Sequence, residues 1–358
     1  MAGTAREDGA GAGERRRGRS IMITAPRFWW RARPGLAAHL LQPVAALWGW
    51  KAASRMAGTP EMRAPVPVIC VGNFVVGGAG KTPTALALAD LVRRLGLAPG
   101  FLTRGYGGTI RSAHRVDPAR DTAALVGDEP LLLAEAAPVV VAPHRPDGVA
   151  PLIASGTDCI IMDDGFQNPS LAKDFSLVVV DGGAGIGNGR VMPAGPLRAS
   201  MAAQLPRADA VLVIGAGAAG ETVARMATSA DKPLLRGRLV AEGGPEGEEQ
   251  RRVLAFSGIG RPEKFLASLK EAGFDVAATE AFPDHHPYGE ADAERLIARA
   301  DAEGLALVTT AKDHVRLNGG VGTLGRLAEK ALVLRVRLVL DDEPMLERLI
   351  RAAVARKR

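Results

Sequence analysis

The most informative stretch of this chain is Val75-Val76-Gly77-Gly78-Ala79-Gly80-Lys81-Thr82. It follows an apolar run at 66–71 and precedes a segment with helical periodicity at 84–95. Strand, glycine-rich turn, Lys-Thr and helix form the context of a phosphate-binding loop, where backbone N–H groups and a helix N-terminus surround a phosphate. In such a loop the lysine reaches the β- and γ-phosphates and the threonine hydroxyl binds Mg²⁺. We therefore predict that this stretch binds a nucleotide.

One position departs from the usual pattern of a phosphate-binding loop. The pattern has a glycine five residues before Gly80, and this chain has Val75 there. A glycine-rich turn followed by an incidental Lys-Thr pair is the alternative interpretation. Three glycines in four residues after an apolar run favour nucleotide binding.

Composition and charge narrow the class of protein. At 358 residues the chain is long enough for two domains. Both cysteines, Cys70 and Cys159, lie in apolar runs, which predicts reduced, buried thiols and a cytoplasmic setting. The net charge is +6, but residues 1–66 hold eleven Lys or Arg against four Asp or Glu, so the rest of the chain is close to neutral. Because nucleic-acid binding usually needs a basic face on the folded domain, we predict no nucleic-acid partner.

The order of apolar and helical segments predicts an α/β fold. Continuous apolar runs predict strands that are buried on both faces of a parallel sheet; they lie at 66–71, 99–102, 138–142, 158–162, 176–180 and 210–214. We predict a P-loop NTPase-like parallel-sheet domain at 63–233 and a smaller C-terminal α/β domain within 234–341, followed by a helix in 342–358. The segments 234–240 and 332–338 alternate apolar and basic residues, which predicts a two-stranded linker between the domains.

The N-terminal region has a different character. Residues 1–21 are rich in Gly, Ala and Arg, which predicts disorder. The segment 22–62 holds all four tryptophans and a predicted helix at 35–56. This helix is too short in apolar residues to span a bilayer, but tryptophans beside arginines suit an amphipathic segment in a membrane interface. A helix packed on the domain or on a partner is the alternative.

Two pairs of adjacent carboxylates are candidates for chemistry. Asp163 and Asp164 end a buried apolar strand, which matches a Walker B site that holds Mg²⁺ at the strand ends where α/β sheets bind ligands. A capping turn is the alternative there. Asp128 and Glu129 stand at a turn into a helix, where an N-cap and a first-turn acid are also possible.

Other candidates lie in loops. His285 and His286 stand between two prolines, which predicts a loop and argues against joint metal ligation because neighbouring side chains point apart. Lys312 could contact a phosphate or pair with Asp313. Glycine-rich and proline-rich loops carry Arg104, Tyr106 and Arg198 and suit an anionic or sugar-like ligand, because a planar guanidinium binds two oxygens at once. Turn formation alone could also account for the glycines and prolines.

Taken in order, these motifs resemble the tetraacyldisaccharide 4′-kinase family, the lipid A 4′-kinases of Gram-negative bacteria. The resemblance covers about residues 28–350. The motifs that carry it are Gly72-Asn73, the loop from Gly77 to Pro83, Arg104-Gly105-Tyr106-Gly107-Gly108, Gly127-Asp128-Glu129-Pro130, Asp163-Asp164-Gly165-Phe166-Gln167, the loop from Pro193 to Arg198, Pro283-Asp284-His285-His286 and Lys312-Asp313.

The resemblance implies an enzyme at the cytoplasmic face of the inner membrane that moves the γ-phosphoryl group of ATP to the 4′-hydroxyl of an acylated glucosamine disaccharide 1-phosphate. It implies that ATP lies between two α/β/α domains. It also implies roles for individual residues: Asp128 as the base assisted by His285, Lys81 in catalysis, Thr82, Glu129, Asp163 and Asp164 in the Mg²⁺ and phosphate shell, and Arg104, Tyr106 and Arg198 as contacts to the sugar-phosphate head.

Two other classes of protein share part of this pattern. Membrane-recruited P-loop switch ATPases of the cell-division or partitioning type combine a similar loop with an amphipathic helix. They carry a lysine immediately before the paired glycines, where this chain has Val76. A nonenzymatic nucleotide-sensing adaptor could bind a protein partner through residues 28–56. ATP turnover that depends on a lipid disaccharide would separate a kinase from both.

Overall fold

The computed structural model describes residues 25–243 and 252–357. The predicted disordered extension at 1–21 lies outside the described residues, as does most of the predicted loop at 242–250. The described chain forms one mixed sheet flanked by helices. Its strands are β1 Val68–Gly72, β2 Pro99–Thr103, β3 His114–Arg115, β4 Val139–Val141, β5 Cys159–Asp163, β6 Phe175–Asp181, β7 Ala210–Ile214, β8 Leu234–Glu242, β9 Arg252–Ser257, β10 Asp275–Ala281, β11 Ala306–Thr310 and β12 Leu332–Leu340.

Helices cover the sheet and form the N-terminal segment. They are α1 Leu36–Leu40, α2 Gln42–Met56, α3 Lys81–Arg94, α4 Ala123–Val126, α5 Asp128–Ala134, α6 Val149–Ala154, α7 Met201–Gln204, α8 Ala218–Ser229, α9 Pro262–Glu271, α10 Glu290–Glu303, α11 Ala311–Leu317, α12 Gly322–Lys330 and α13 Glu343–Lys357. Short 3-10 turns lie at Arg27–Trp30, Arg145–Gly148 and Leu205–Arg207.

The strand order across the sheet is β10-β9-β11-β12-β8-β7-β6-β1-β5-β2-β4-β3. The six strands predicted for the first domain are present within two residues of their predicted bounds. Their mutual pairings are parallel, as the continuous apolar runs predicted. β8 and β12 form the predicted two-stranded linker and pair antiparallel, with Leu338 opposite Leu239. This pair joins the two units into a single sheet.

The core of the first unit lies on both faces of the sheet. Alternate residues of β1 point to opposite faces, so that Ile69 belongs to one apolar cluster and Cys70 to the other. On the first face, α3 packs through Leu88, and each such fully buried aliphatic side chain contributes about 1.5–3 kcal/mol. The last helix contributes Ile350 to the same cluster. The chain therefore returns from the second unit to complete the core around the glycine-rich loop.

The N-terminal segment differs from the prediction of one helix at 35–56. The structure divides it at Leu41 into α1 and α2, and Pro43 stands in the first turn of α2. Proline has no N–H to donate and its ring opposes the carbonyl four residues earlier, so an uninterrupted helix is disfavoured. Among the described residues, no helix is both long and apolar enough to cross a bilayer. Met56 at the end of α2 is buried, but the other large apolar side chains of α1 and α2 face outward: Leu36, Leu40, Val44, Leu47, Trp48 and Trp50.

Candidate nucleotide and acceptor site

The glycine-rich loop links the end of β1 to the start of α3 at Lys81, as predicted. Gly77 and Gly80 have φ angles of 109° and 91°, in the left-handed region that favours glycine. A Cβ on Gly80 would also lie 2.8 Å from Cδ1 of Ile214. The sequence therefore needs glycine here for both conformation and space. Lys81, the first residue of α3, has Nζ 3.4 Å from the Gly77 carbonyl oxygen and so lies over the loop.

The Walker B-like acids lie next to this loop because β5 pairs parallel to β1, with Asp163 opposite Val71. Asp163 is fully buried, and neither of its carboxylate oxygens has a hydrogen-bond partner. Burial, with repulsion from Glu129, raises the pKa of Asp163 to about 7. An ionisable group left unpaired in such a position is costly, which indicates that it serves a ligand.

Asp164 has the opposite electrostatic character. Its carboxylate accepts a hydrogen bond from Nη2 of Arg198 at 3.1 Å and lies 3.7 Å from Nζ of Lys81. Burial acts to raise the pKa of Asp164, but the two cations outweigh it and lower the value to about 2. The two adjacent carboxylates therefore differ widely in pKa, because Asp164 is paired with cations and Asp163 is unpaired.

The residues present fit a magnesium ion that arrives with a nucleotide. In the described part of the chain, no group of three or more His, Cys, Asp or Glu side chains is arranged to hold a metal on its own. Mg²⁺ is usually held by one or two carboxylates together with phosphate oxygens and water, so such a cage is not required. The two orphaned oxygens of Asp163 supply hard donors beside the loop, and the buried Thr82 supplies a hydroxyl.

The second pair of acids opens α5 opposite the loop. Gly127, and not Asp128, occupies the N-cap position, with a φ of 95° and no room for a Cβ, which would lie 2.6 Å from the Tyr106 carbonyl oxygen. The N-cap interpretation of Asp128 is therefore wrong. Both acids stand in the first turn, where the helix dipole favours negative charge.

The structure brings His285 to Asp128 from 157 residues further along the chain. Nδ1 of His285 lies 3.0 Å from Oδ2 of Asp128. This hydrogen bond raises the pKa of His285 above its ordinary value despite partial burial. The Tyr106 ring lies 5.6 Å from the imidazole, centroid to centroid. His286 points elsewhere and bonds Asp292, as the argument against joint metal ligation predicted.

Sequence reasoning missed one residue of this site, Arg316. Its Nε donates to Oδ2 of Asp128 at 3.0 Å, and Nη2 reaches the same oxygen. Burial acts to raise the pKa of Asp128, but the hydrogen bond from His285 and the nearby cations of α11 hold it well below its usual range. The signal that could have found Arg316 is its spacing four residues after Lys312, which places both on one helical face. No helix was predicted there.

Lys312 pairs with Glu129 and not with its neighbour Asp313. The proposed pairing with Asp313 is therefore wrong. The two residues are adjacent on α11, and adjacent side chains on a helix do not face each other. The charge of Lys312 is the main cause of the lowered pKa of Glu129.

The three predicted contacts to a sugar-phosphate head differ in position. Arg104 and Tyr106 are exposed in the loop after β2. Arg198 lies closer to the glycine-rich loop, with Nε donating to the Val75 carbonyl oxygen at 3.1 Å. All three line one cleft of about 3300 Å³, which also reaches Trp48 of the N-terminal segment.

Strand β1, the loop and α3, with the two acids at the end of β5 beside them, make this chain a P-loop nucleotide-binding protein. Comparison with known proteins narrows that class. The family model described as tetraacyldisaccharide-1-P 4′-kinase matches residues 37–355. The chain belongs to this family, and the family predicted from its motifs is confirmed.

Individual relatives agree with the family. The chain is 53% identical over 325 residues to the tetraacyldisaccharide 4′-kinase of Methylobacterium sp. (strain 4-46), a match that covers 90% of this chain and 96% of the relative. It is 57% identical over 296 residues to the enzyme of the same name from Methylobacterium nodulans, covering 82% and 88%. Among solved structures, LpxK from Aquifex aeolicus in complex with ATP is 27% identical and superposes with a TM-score of 0.69, covering 88% of this chain and 99% of that one.

Proposed function

We propose that this protein transfers the γ-phosphoryl group of ATP to the 4′-hydroxyl of a tetraacylated glucosamine disaccharide 1-phosphate, which gives the bisphosphorylated lipid A precursor. Family membership supports the activity and the ATP and Mg²⁺ requirement. The observation that carries the proposal is the Asp128–His285 pair. It comes from two units of the fold, and His285 lines one cleft together with the phosphate-binding loop and with Glu129, the neighbour of Asp128. A switch ATPase of the cell-division or partitioning type is not favoured, because the relatives are kinases of a lipid disaccharide.

The residues of the loop hold the nucleotide in this proposal. Backbone N–H groups from Val75 to Gly80 surround the phosphates, and the ammonium of Lys81 balances charge that develops on the transferred group. Thr82, Glu129, Asp163 and Asp164 would hold Mg²⁺, which supplies further charge neutralisation when bound. The unpaired carboxylate of Asp163 supports this assignment most directly.

Asp128 and His285 act on the acceptor. The 4′-oxygen attacks the γ-phosphorus, the bond to the bridging β–γ oxygen breaks, ADP leaves, and the hydroxyl proton passes to Asp128. A carboxylate with a depressed pKa is a weak base. Because phosphoryl transfer has a loose transition state, orientation of the hydroxyl matters more than the strength of the base.

The other wall of the cleft would recognise the lipid. Arg104, Tyr106 and Arg198 are proposed to contact the sugar and its phosphate, since all three line the cleft. The N-terminal segment at 22–62 is proposed to lie in the cytoplasmic surface of the inner membrane. Trp29 packs on the domain and donates to the Pro193 carbonyl oxygen, but the outward-facing leucines of α1 and α2 and the exposed Trp48 and Trp50 support this placement for the helices. The domain boundaries at 63–233, 234–341 and 342–358 stay predictions.

A product assay tests the proposal. Purified protein is incubated with ATP, Mg²⁺ and the acylated disaccharide 1-phosphate, and the lipid is examined by mass spectrometry. We expect a mass increase of one phosphate at the 4′-position, and none with the Lys81→Ala variant. ATP hydrolysis without a phosphorylated lipid, or no affinity for adenine nucleotides with Mg²⁺ present, would contradict the proposal.

A further inference from the structure

The carboxylate of Asp128 is held by two side chains of the C-terminal unit. His285 is one, and Arg316 is the other, with Nε 3.0 Å from Oδ2. The remaining oxygen, Oδ1, accepts the backbone N–H of Glu129 at 2.9 Å. The side chains of Arg316 and Asp128 are 6% and 4% exposed, so this ion pair is buried.

Arg316 is itself held in one orientation. Its Nη1 donates to Oδ1 of Asp313 at 2.7 Å and to the Gly258 carbonyl oxygen at 2.8 Å. Asp313 is fully buried and also accepts from the Tyr288 hydroxyl at 2.9 Å. A guanidinium presents its donors in a fixed planar fork. It cannot turn away from Asp128 without leaving buried charges unpaired, which is costly.

We propose that Arg316 is a positioning residue for phosphoryl transfer. It fixes the carboxylate of Asp128, and through it the ring of His285, in the orientation that receives the acceptor hydroxyl. A carboxylate torsion is broad when nothing holds it, and a displacement of about 1 Å near the reacting atoms can cost about 10²-fold in rate. This inference rests on the proposed function and adds to it a residue from the unit that does not carry the phosphate-binding loop.

A second ion pair, Lys312–Glu129, lies beside the Arg316–Asp128 contact and supports a role for this contact in the site. Lys312 and Arg316 are one turn apart on α11 and meet the adjacent acids Glu129 and Asp128 at the start of α5. The two contacts join the C-terminal unit to the acidic end of α5. The acceptor side of the site is therefore assembled only where α11 meets α5.

The test measures kcat and KM of the full-length protein with ATP and the lipid disaccharide. To count only folded protein, kcat is calculated per nucleotide-binding site, and the number of these sites is measured by titration with ATP. We expect Arg316→Gln to lower kcat roughly 10- to 100-fold with KM for ATP changed less than about threefold. Arg316→Lys keeps the charge without the fork and should give an intermediate kcat. Arg299→Gln, an exposed arginine of the same unit that pairs with Glu303, is the matched control and should behave as wild type.

A double-mutant cycle separates positioning from general support of the fold. If Arg316 acts through Asp128, adding Arg316→Gln to Asp128→Asn should lower kcat less than about threefold further. Additive losses would overturn the inference, and so would a wild-type kcat for Arg316→Gln. If the glutamine variant does not fold, Arg316→Lys decides: a reduced kcat with unchanged ATP affinity supports the inference, and an unchanged kcat overturns it. Absence of lipid product from the wild type would instead defeat the proposed function.

Discussion

Lys81→Ala should cost more activity than Asp128→Ala. Nζ of Lys81 lies 3.4 Å from the loop carbonyl of Gly77 and 3.7 Å from the Asp164 carboxylate, and the side chain is only 9% exposed. Its removal leaves the carboxylates of the site facing the triphosphate without this cation. A cation that neutralises charge on the transferred phosphoryl group in the transition state, such as an arginine finger, is worth roughly 10³–10⁵ in kcat.

The loss from Asp128→Ala should lie at the lower end of what a general base contributes, which is about 10²–10⁴-fold. The low pKa of Asp128 makes it a weak proton acceptor. Because the transition state of phosphoryl transfer is loose, its stabilisation depends little on proton transfer to a base. We therefore expect about 10³-fold or more from Lys81→Ala and about 10²-fold from Asp128→Ala.

The assay is kcat for lipid product at saturating ATP, with thermal unfolding recorded for each variant. Lys270→Ala removes an exposed lysine and serves as the control for charge alone, and it should retain wild-type turnover. If Asp128→Ala lost more activity than Lys81→Ala while both proteins were folded, the argument that charge neutralisation outweighs the base would be refuted.

Three further predictions follow from local features of the fold. The pKa of His285 is raised in the folded state, so its ion pair with Asp128 stabilises the fold fully below pH 6.5, the ordinary pKa of histidine, and this contribution is lost as the pH rises through the folded-state pKa. In urea unfolding, the stability advantage of wild type over His285→Gln should therefore shrink from pH 6 to pH 9. Gly80→Ala should lower the free energy of unfolding by more than the cost of an alanine in the left-handed region, about 1–2 kcal/mol, because the added methyl group also meets the side chain of Ile214 in β7. Gly96→Ala is the control in the same thermal melts: Gly96 has a φ of +77° but open space around it, so only the conformational cost should appear. Replacing Trp48 and Trp50 with serine should weaken binding to anionic vesicles by about 5- to 30-fold per residue with ATP affinity unchanged, and equal vesicle binding would contradict the membrane-interface proposal.

Several elements were not predicted from the sequence, and for two of them, β10 and α11, the reason is local. β10 is an edge strand whose residues alternate between exposed positions and positions that are partly or fully buried; three of its seven residues are alanines, so its apolar signal is weak. The helix α11 is only seven residues long and begins directly after the last residue of β11, so too few residues show the helical spacing of apolar side chains for it to be recognised. Without that helix, Arg316 could not be placed beside Lys312 on a common face.

By itself the sequence determined the proposed nucleotide half of the site. Glycines, Lys81 and Thr82 are contiguous, and Asp163 ends a strand whose apolar run predicts its place in the parallel sheet. These features depend on backbone conformation and periodicity, which are local properties of the chain.

The family resemblance implied that Asp128 and His285 act together, but only the tertiary structure decided how the proposed acceptor half is assembled and that Arg316 belongs to it. Asp128, His285 and Arg316 are far apart in sequence and meet because β8 and β12 join the two units and α11 packs against α5. Which cation pairs with which acid depends on distances of 3 Å between separate elements. No local pattern carries that information, because ion pairing is set by the packing of whole helices and strands.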